Sequence, residues 1–400
     1  MKKLKIVNKF RFTCSIIILI ALCATIVFLI TKKSSPKVIE TGLPEEDFVK
    51  EETPVKEDIN INMSVIGDIM CHDSQYKDAY LSSQDTYDFS YVFKDIQNYI
   101  SSADIAVGNL ETTFAGKARG YSNYPTFNTP EQLATNLKDM GIDVLTTANN
   151  HSLDKGYSGL ESTLKFLDEA GISHTGTYSS AEEQNKILIK DVNGIKIAFL
   201  AFTYGTNGIP VPSGKDYCIN LIDEDFIIKQ LNLAKEQNPD LICVSMHWGI
   251  EYQTKQNKEQ EKLADLLFNN GVDIILGSHP HVLQPMEKKT VTLEDGSTKD
   301  CFVIYSLGNF MSGQNKANTR NSVILDISLT KSGQTDKTVI NSVSYTPIYM
   351  YKSSAVKLKK YRILDIEKSI SDTSLGQSTI NTLKTELTKI RKTMGENITF

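Results

Sequence analysis

Tryptophan occurs once in these 400 residues, and the six cysteines are scattered without paired spacing. That usage points to neither a disulfide framework nor a CxxC metal site. Cys14 and Cys23 fall in an apolar run near the amino terminus, Cys71 and Cys218 stand alone, and Cys243 and Cys301 read as small core residues in strand-like runs. Glycine at 23 and proline at 11 are too few for collagen-like or low-complexity architectures. Basic charge is short as well. The formal charge is -5, and five basic groups with no acid in residues 1–11 leave -10 for the rest. Such a body lacks the basic face that nucleic acid requires, so no nucleic-acid partner is expected. What the chain does have is 40% apolar and 8% aromatic content, enough for a sizeable core. Its length allows roughly two to three domains or one large α/β unit.

Residues 12–30 are uncharged and dominated by Ile, Leu, Ala, Val and Phe. A helix of that length just spans a hydrocarbon core of about 30 Å. Lys2, Lys3, Lys5, Lys9 and Arg11 precede the run, while only Lys32 and Lys33 follow directly. The heavier positive charge on the leading side predicts that this side stays cytoplasmic. A cleaved signal peptide would have a shorter apolar region, about 7–15 residues, and a small-x-small site behind it. Leu22 is bulkier than a lipobox before Cys23 accepts. The reading is an uncleaved anchor in 1–33, single-pass in the cell membrane, with the C-terminal domain extracellular. Residues 34–60, rich in Pro, Glu, Lys and Thr, read as a flexible linker. A folded domain over 61–350 and a strand and helix extension over 351–400 complete the organisation.

From residue 61 one pattern recurs. Short Val/Ile-rich runs end abruptly in small and polar residues: "MSVIGDIMCH", "DIAVGNLE", "DVLTTANNH", "DLICVSMHWG", "DIILGSHPH" and "CFVIYSLGNF". These runs predict buried strands. Helices are expected over 88–101, 130–140, 156–170, 224–237 and 255–269, and this alternation argues for βαβ units with parallel strands. Ligands gather at the carboxyl ends of such strands, so all six polar clusters should converge on one sheet edge. Residues 186–203 predict a hairpin turning on Asn193-Gly194. The alternating stretch 322–349 suggests a second sheet, and 369–392 an amphipathic helix without catalytic signal.

Five of the six histidines lie in those clusters: His72, His151, His247, His279 and His281. His174 does not and reads as structural. Asp68, Asn109, Glu111, Asn149 and Asn150 join them. Imidazole with carboxylate and amide oxygen suits a transition metal such as Zn, Mn or Fe better than Ca. There are enough candidates for two ions, and a pair about 3.5–4 Å apart can bind a phosphoryl group and stabilise a leaving oxygen. Trp248 is either a pocket wall or core. Glu251 and Tyr252 are candidates for orienting ligands, Ser306 and Asn309 for supporting the site, and Arg119 is a weak candidate for an anion contact. Gly156 allows a turn after Asp154.

In order, "GDIMCH", "GNLETTF", "ANNHSLDKG", "MHWGIEY", "GSHPHVLQ" and "YSLGNF" resemble the bacterial poly-γ-glutamate capsule-synthesis family of CapA or PgsA type, a distant relative of calcineurin-like metallophosphoesterases. The resemblance covers about residues 62–345. It implies a four-layer αββα sandwich with a dinuclear site at the strand ends. Asp68 would ligate the first metal, Asn150, His247 and His279 the second, and His281 would return to the first. His151 would be the general acid that protonates the leaving alcohol, a role suited to imidazole near neutral pH. The sequence departs from the usual Asp-x-His with His72, four residues after Asp68. At the bridging position it offers Asn109 and Glu111, and Glu111 is favoured because an anion neutralises two cations better than an amide does.

The resemblance implies an extracytoplasmic, membrane-anchored protein of capsule polymer synthesis or export, beside membrane-embedded synthase subunits, with a metal-dependent phosphoesterase-type hydrolase site. The other reading is a non-catalytic scaffold that keeps the fold. A body at -10 repels a polyglutamate chain, which favours a localised site over loose holding of polymer.

Overall fold

The computed structural model describes residues 56–292 and 296–400, so the expected anchor and nearly all of the expected linker lie outside the described residues. From the amino-terminal side the strands are β1 (Ile59–Met70), β2 (Ile105–Leu110), β3 (Val144–Thr146) and β4 (Ser173–Thr175). β5 (Leu188–Val192), β6 (Ile195–Thr203), β7 (Leu241–His247), β8 (Ile274–Ser278), β9 (Leu283–Thr292) and β10 (Thr298–Leu307) follow. β11 (Asn309–Ser312), β12 (Asn321–Lys331), β13 (Thr338–Lys352) and β14 (Tyr361–Asp365) complete the set that positions the site.

Two mixed sheets result. The larger has the spatial order β14-β13-β12-β1-β2-β3-β4, with β11 also paired to β1; the smaller runs β9-β10-β8-β7-β6-β5. Strand residues alternate between two buried environments, as strands covered on both faces must. Val65, Val107 and Val144 of the larger sheet share one apolar layer with Phe199, Cys243, Ile274 and Ile304 of the smaller. Their neighbours Ile66, Ala106 and Leu145 face the opposite way, onto Leu133 and Leu137 of helix α2 (Gln132–Met140), which follows α1 (Asp73–Ala79) in the chain. On the far side Leu200, Val244, Ile275 and Val303 pack against helices, in chain order after α3 (Gly156–Ala170). These are α4 (Glu224–Glu236), through Ile227 and Leu231, and α5 (Lys258–Asn269), through Leu263 and Leu267. Helix, sheet, sheet and helix are thus stacked in that order.

The predicted hairpin forms, with Asn193 and Gly194 at φ of +53° and +97°, the positive values that a two-residue turn needs. Three expectations change. The polar clusters do not sit on one sheet edge: β1, β2 and β3 bring theirs from the larger sheet, and β7, β8 and β10 from the smaller. The stretch 322–349 does not found a second sheet. It becomes β12, antiparallel to the long β1 with Val65 opposite Leu325, and β13, antiparallel to β12 in the same sheet. The helix expected over 88–101 splits into Ser90–Phe93 and Gln97–Ser101. Near the break, the Asp95 carboxylate accepts two hydrogen bonds from Arg362, at 2.8 and 2.9 Å.

The carboxyl-terminal extension belongs to the same compact unit as the rest of the described chain. β14 adds to the larger sheet, and helix α6 (Gln377–Met394) starts later than the 369–392 pattern suggested. Leu383, Leu387, Ile390 and Met394 of α6 enter the layer between the sheets. Among the described residues no helix is long and apolar enough to cross a membrane.

Candidate metal centre

Register places the first acid. Asp68, near the end of β1, stands level with Asn109 on β2 and Asn309 on β11. Asn109 Nδ2 donates to Asp68 Oδ1 at 2.9 Å, and the His279 backbone N–H reaches Oδ2 at 3.4 Å. The preceding glycine is a steric necessity. A Cβ on Gly67 would lie 2.0 Å from the Gly308 carbonyl oxygen, which accepts the Asp68 N–H at 2.9 Å.

Glu111, one residue beyond β2, lies where the two sheets' strand ends meet. Its carboxylate is fully buried, and neither oxygen has a hydrogen-bond partner. Oε1 is 3.6 Å from His247 Nε2 and 3.7 Å from His281 Nε2. Glu111 therefore belongs to two ligand groups at once: with His247 and His279, and with Asp68 and His281, the atoms of each group lying within 4.8 Å of one another. Burial, then the neighbouring Asp68, pushes the Glu111 carboxyl well above the usual carboxylate range. Buried anions persist when they are paired or coordinate a metal, and no Lys or Arg pairs with Glu111 among the described residues.

The imidazoles present lone pairs to this acid. His247 Nδ1 lies 2.8 Å from Ser278 Oγ, and that hydroxyl is within 3.5 Å of the Met246 carbonyl. With the hydroxyl proton given to Met246, Ser278 accepts from Nδ1–H, and the Nε2 lone pair faces Asn150 Oδ1 at 3.0 Å and Glu111. Asn150 Nδ2 donates to Asn207 Oδ1 at 3.1 Å, which turns the amide oxygen toward His247. His247 Nε2, the Asn150 oxygen and Glu111 thus converge, an arrangement that a cation satisfies once the acid has lost its proton. His281 follows the same logic, with Nδ1 3.1 Å from Asn309 Oδ1 and 3.3 Å from Asp68 Oδ2, leaving Nε2 toward Glu111.

Burial, reinforced by His279, pushes His247 well below its ordinary value, and burial with His281 takes His279 down to about 3. Both are neutral near pH 7, as ligands must be. His279 Nδ1 is buried without a partner. His279 and His281 also hold positive φ, +94° and +59°, an uncommon strain for residues with a Cβ. Ser306 supports this loop by donating to the Val282 carbonyl at 2.7 Å. The donor set of carboxylates, imidazoles and an amide oxygen, built around an orphaned buried acid, fits one or two divalent transition cations.

His151 is placed differently. Its Nδ1 is 2.7 Å from Asp154 Oδ2, which also accepts the Phe127 N–H at 2.6 Å. The carboxylate holds the proton on Nδ1 and leaves Nε2 for other chemistry. Asn149 braces the turn, donating to the Leu110 carbonyl at 2.7 Å and accepting the His151 N–H at 3.1 Å. His151 and His281 line one cleft of about 360 Å³, together with His72, Glu251, Tyr252 and Tyr124.

Several expected residues stand elsewhere. His72 is in neither ligand group: it caps α1, and its Nδ1 accepts the Gly313 N–H at 3.1 Å, so it forms a wall of the cleft. Trp248 is core. It is buried under the helices of the smaller sheet and donates its indole N–H to the Tyr305 carbonyl at 2.9 Å. Glu251 is exposed on the cleft wall, and the Tyr252 ring centroid is 6.1 Å from that of His281. Arg119 sits in a short exposed turn. His174 bonds Asp168 at 3.1 Å. Sequence reasoning missed Asp154, Asn207 and Tyr204. Asp154 was findable, three residues after His151. Tyr204, whose ring centroid is 4.5 Å from that of His279, carries no readable signal because β6 ends without a ligand-type residue.

Residues 62–314 match the family model of the bacterial capsule synthesis protein PGA_cap. The chain is 31% identical over 328 residues to the PGA biosynthesis protein CapA of Bacillus subtilis, covering 78% of each chain. It is 29% identical over 324 residues to the capsule biosynthesis protein CapA of Bacillus anthracis, covering 76% of this chain and 75% of that one. Among solved structures, calcineurin-like phosphoesterase YfkN from Bacillus subtilis is similar over 82% of this chain and 99% of that chain, at TM-score 0.43 and 15% identity. The sequence matches decide the family: this chain belongs to the bacterial capsule synthesis proteins.

Proposed function

We propose that this member of the capsule synthesis family is a metal-dependent hydrolase of phosphoester type, held on the outer face of the cell membrane by residues 12–30 and working beside the membrane-embedded subunits of a capsule polymer synthase. The single observation that carries the chemistry is Glu111, an acid with no hydrogen-bond partner, buried between two groups of imidazole and carboxylate. Glu111, His247 and His279, with the Asn150 oxygen, would hold one divalent cation, and Glu111, Asp68 and His281 a second. Bound there, Mn, Zn or Fe would supply the positive charge that binds a phosphoryl group and stabilises its transition state.

The remaining work falls to the chain. Asp154 fixes the orientation of His151 by accepting from Nδ1–H, so that Nε2, when protonated, can donate its proton to the departing alcohol oxygen. Asn309, Ser278 and Asn207 hold His281, His247 and Asn150 in their ligating orientations. The uncharged run, the leading basic cluster and the family's link to surface polymer support the placement at the membrane. Metal analysis of the purified protein with turnover of 4-nitrophenyl phosphate and its diester tests the reading. Roughly two transition-metal ions per chain are expected. His151→Ala should lose turnover and keep the metal, whereas Glu111→Ala should lose both. Metal-free protein that still supports capsule formation would replace the hydrolase with a scaffold.

A further inference from the structure

The cleft that opens on His151 and His281 extends beyond the ligand groups, and its far wall is the loop between β11 and β12. That loop contributes Gln314, Asn315 and Lys316. Lys316 is exposed and has no carboxylate partner among the described residues; its ammonium lies 3.7 Å from the centroid of the Tyr252 ring. An aromatic face orients such a cation without neutralising it. Glu251 also lines the cleft, so one ammonium without a carboxylate partner and one carboxylate face it outside the ligand groups. His151, as proton donor to the leaving oxygen, requires the leaving alcohol to lie over it, and Lys316 lines the same cleft as His151.

We propose that Lys316, held over Tyr252 and flanked by Gln314 and Asn315, is a subsite for an anionic substituent on the leaving-group side of the substrate. The substrate class is a phosphoester whose alcohol portion bears a second anion, a carboxylate or a further phosphoryl group. This rests on the hydrolase reading above and adds what that reading leaves open. In a body at -10, the only charge that can discriminate for such a substituent is local to the site. Lys316 is on an exposed loop, so replacing it leaves the ligand groups and the core intact.

The test uses the manganese-loaded protein and probes with or without the second anion. Calorimetric binding of phenylphosphonate, 4-carboxyphenylphosphonate and 1,4-phenylenebisphosphonate measures the subsite without turnover. Hydrolysis of phenyl phosphate and 4-carboxyphenyl phosphate measures it with turnover. Wild-type protein should prefer the doubly substituted probes by about tenfold, the scale of one charge-assisted hydrogen bond partly open to water. Lys316→Met should abolish that preference and leave binding of phenylphosphonate within about twofold. Glu251→Gln should move the preference the other way, tightening both doubly substituted probes by about twofold to threefold. The stronger of the carboxylated and phosphonylated probes identifies the substituent. An undiminished preference in Lys316→Met, or equal loss for all probes, overturns the subsite. Absence of hydrolysis in wild type, with the binding preference present and lost in Lys316→Met, overturns the hydrolase reading alone.

Discussion

Glu111 concentrates the account at the scale of single residues. A buried carboxylate without partners disfavours folding until a cation arrives, so Glu111→Gln should stabilise the metal-free protein by about 1–3 kcal/mol in denaturant unfolding near neutral pH and abolish metal binding. Metal affinity should also follow the acid. The Glu111 carboxyl is held above the usual range, so its proton must leave before a cation enters, and affinity rises with pH until that proton is gone. His279, at about 3, and His247, also far below its ordinary value, do not compete with metal near neutrality. Calorimetry with Mn²⁺ should therefore show weaker binding at about pH 6 than at about pH 8, with proton release into the buffer. Asp154→Asn should keep the metal and lower kcat by about a hundredfold, because His151 loses the carboxylate that holds the proton on Nδ1 and orients the ring. The ligand types were legible in the sequence because they follow abrupt strand ends. Asp154 and Tyr204 were not read there, one because its spacing from His151 resembles an ordinary turn, the other because tyrosine beside imidazole is a contact of the folded state only.

At the scale of elements, strand ends and glycines set the ligand positions. Gly67→Ala should destabilise the protein by several kcal/mol, on the order of the overpacking penalty or above it, since the Gly308 carbonyl sits where the new carbon would be. Alternation and punctuation made β1, β2, β7, β8 and β10 and helices α2 to α5 readable, and α3 falls where the pattern put it. The broken helix around Asp95 was not readable, because the Arg362 contact joins it to a strand 267 residues away. Nor was the partner of 322–349. Alternation says that one face is buried, and it does not say which sheet edge receives the strand.

At the scale of the whole molecule, the two sheets close around a shared apolar layer, and the ligands meet only because that closure brings β1 and β2 opposite β7 and β8. The carboxyl-terminal helix is part of that closure, so Leu387→Ala in α6 should cost about 2–5 kcal/mol in unfolding although it is remote from the ligands. The proposed anchor in residues 12–30 rests on charge and apolar length, and cell fractionation with protease applied from outside tests it: the intact chain should sediment with membranes and be digested. A crystal structure of the Mn²⁺-loaded protein with anomalous scattering data decides whether two cations share Glu111. Two anomalous peaks should flank the Glu111 carboxylate, each about 2.0–2.3 Å from its nearest ligand atoms. A single ion that bypasses Glu111, or no ion at all in protein that retains hydrolysis, would contradict it.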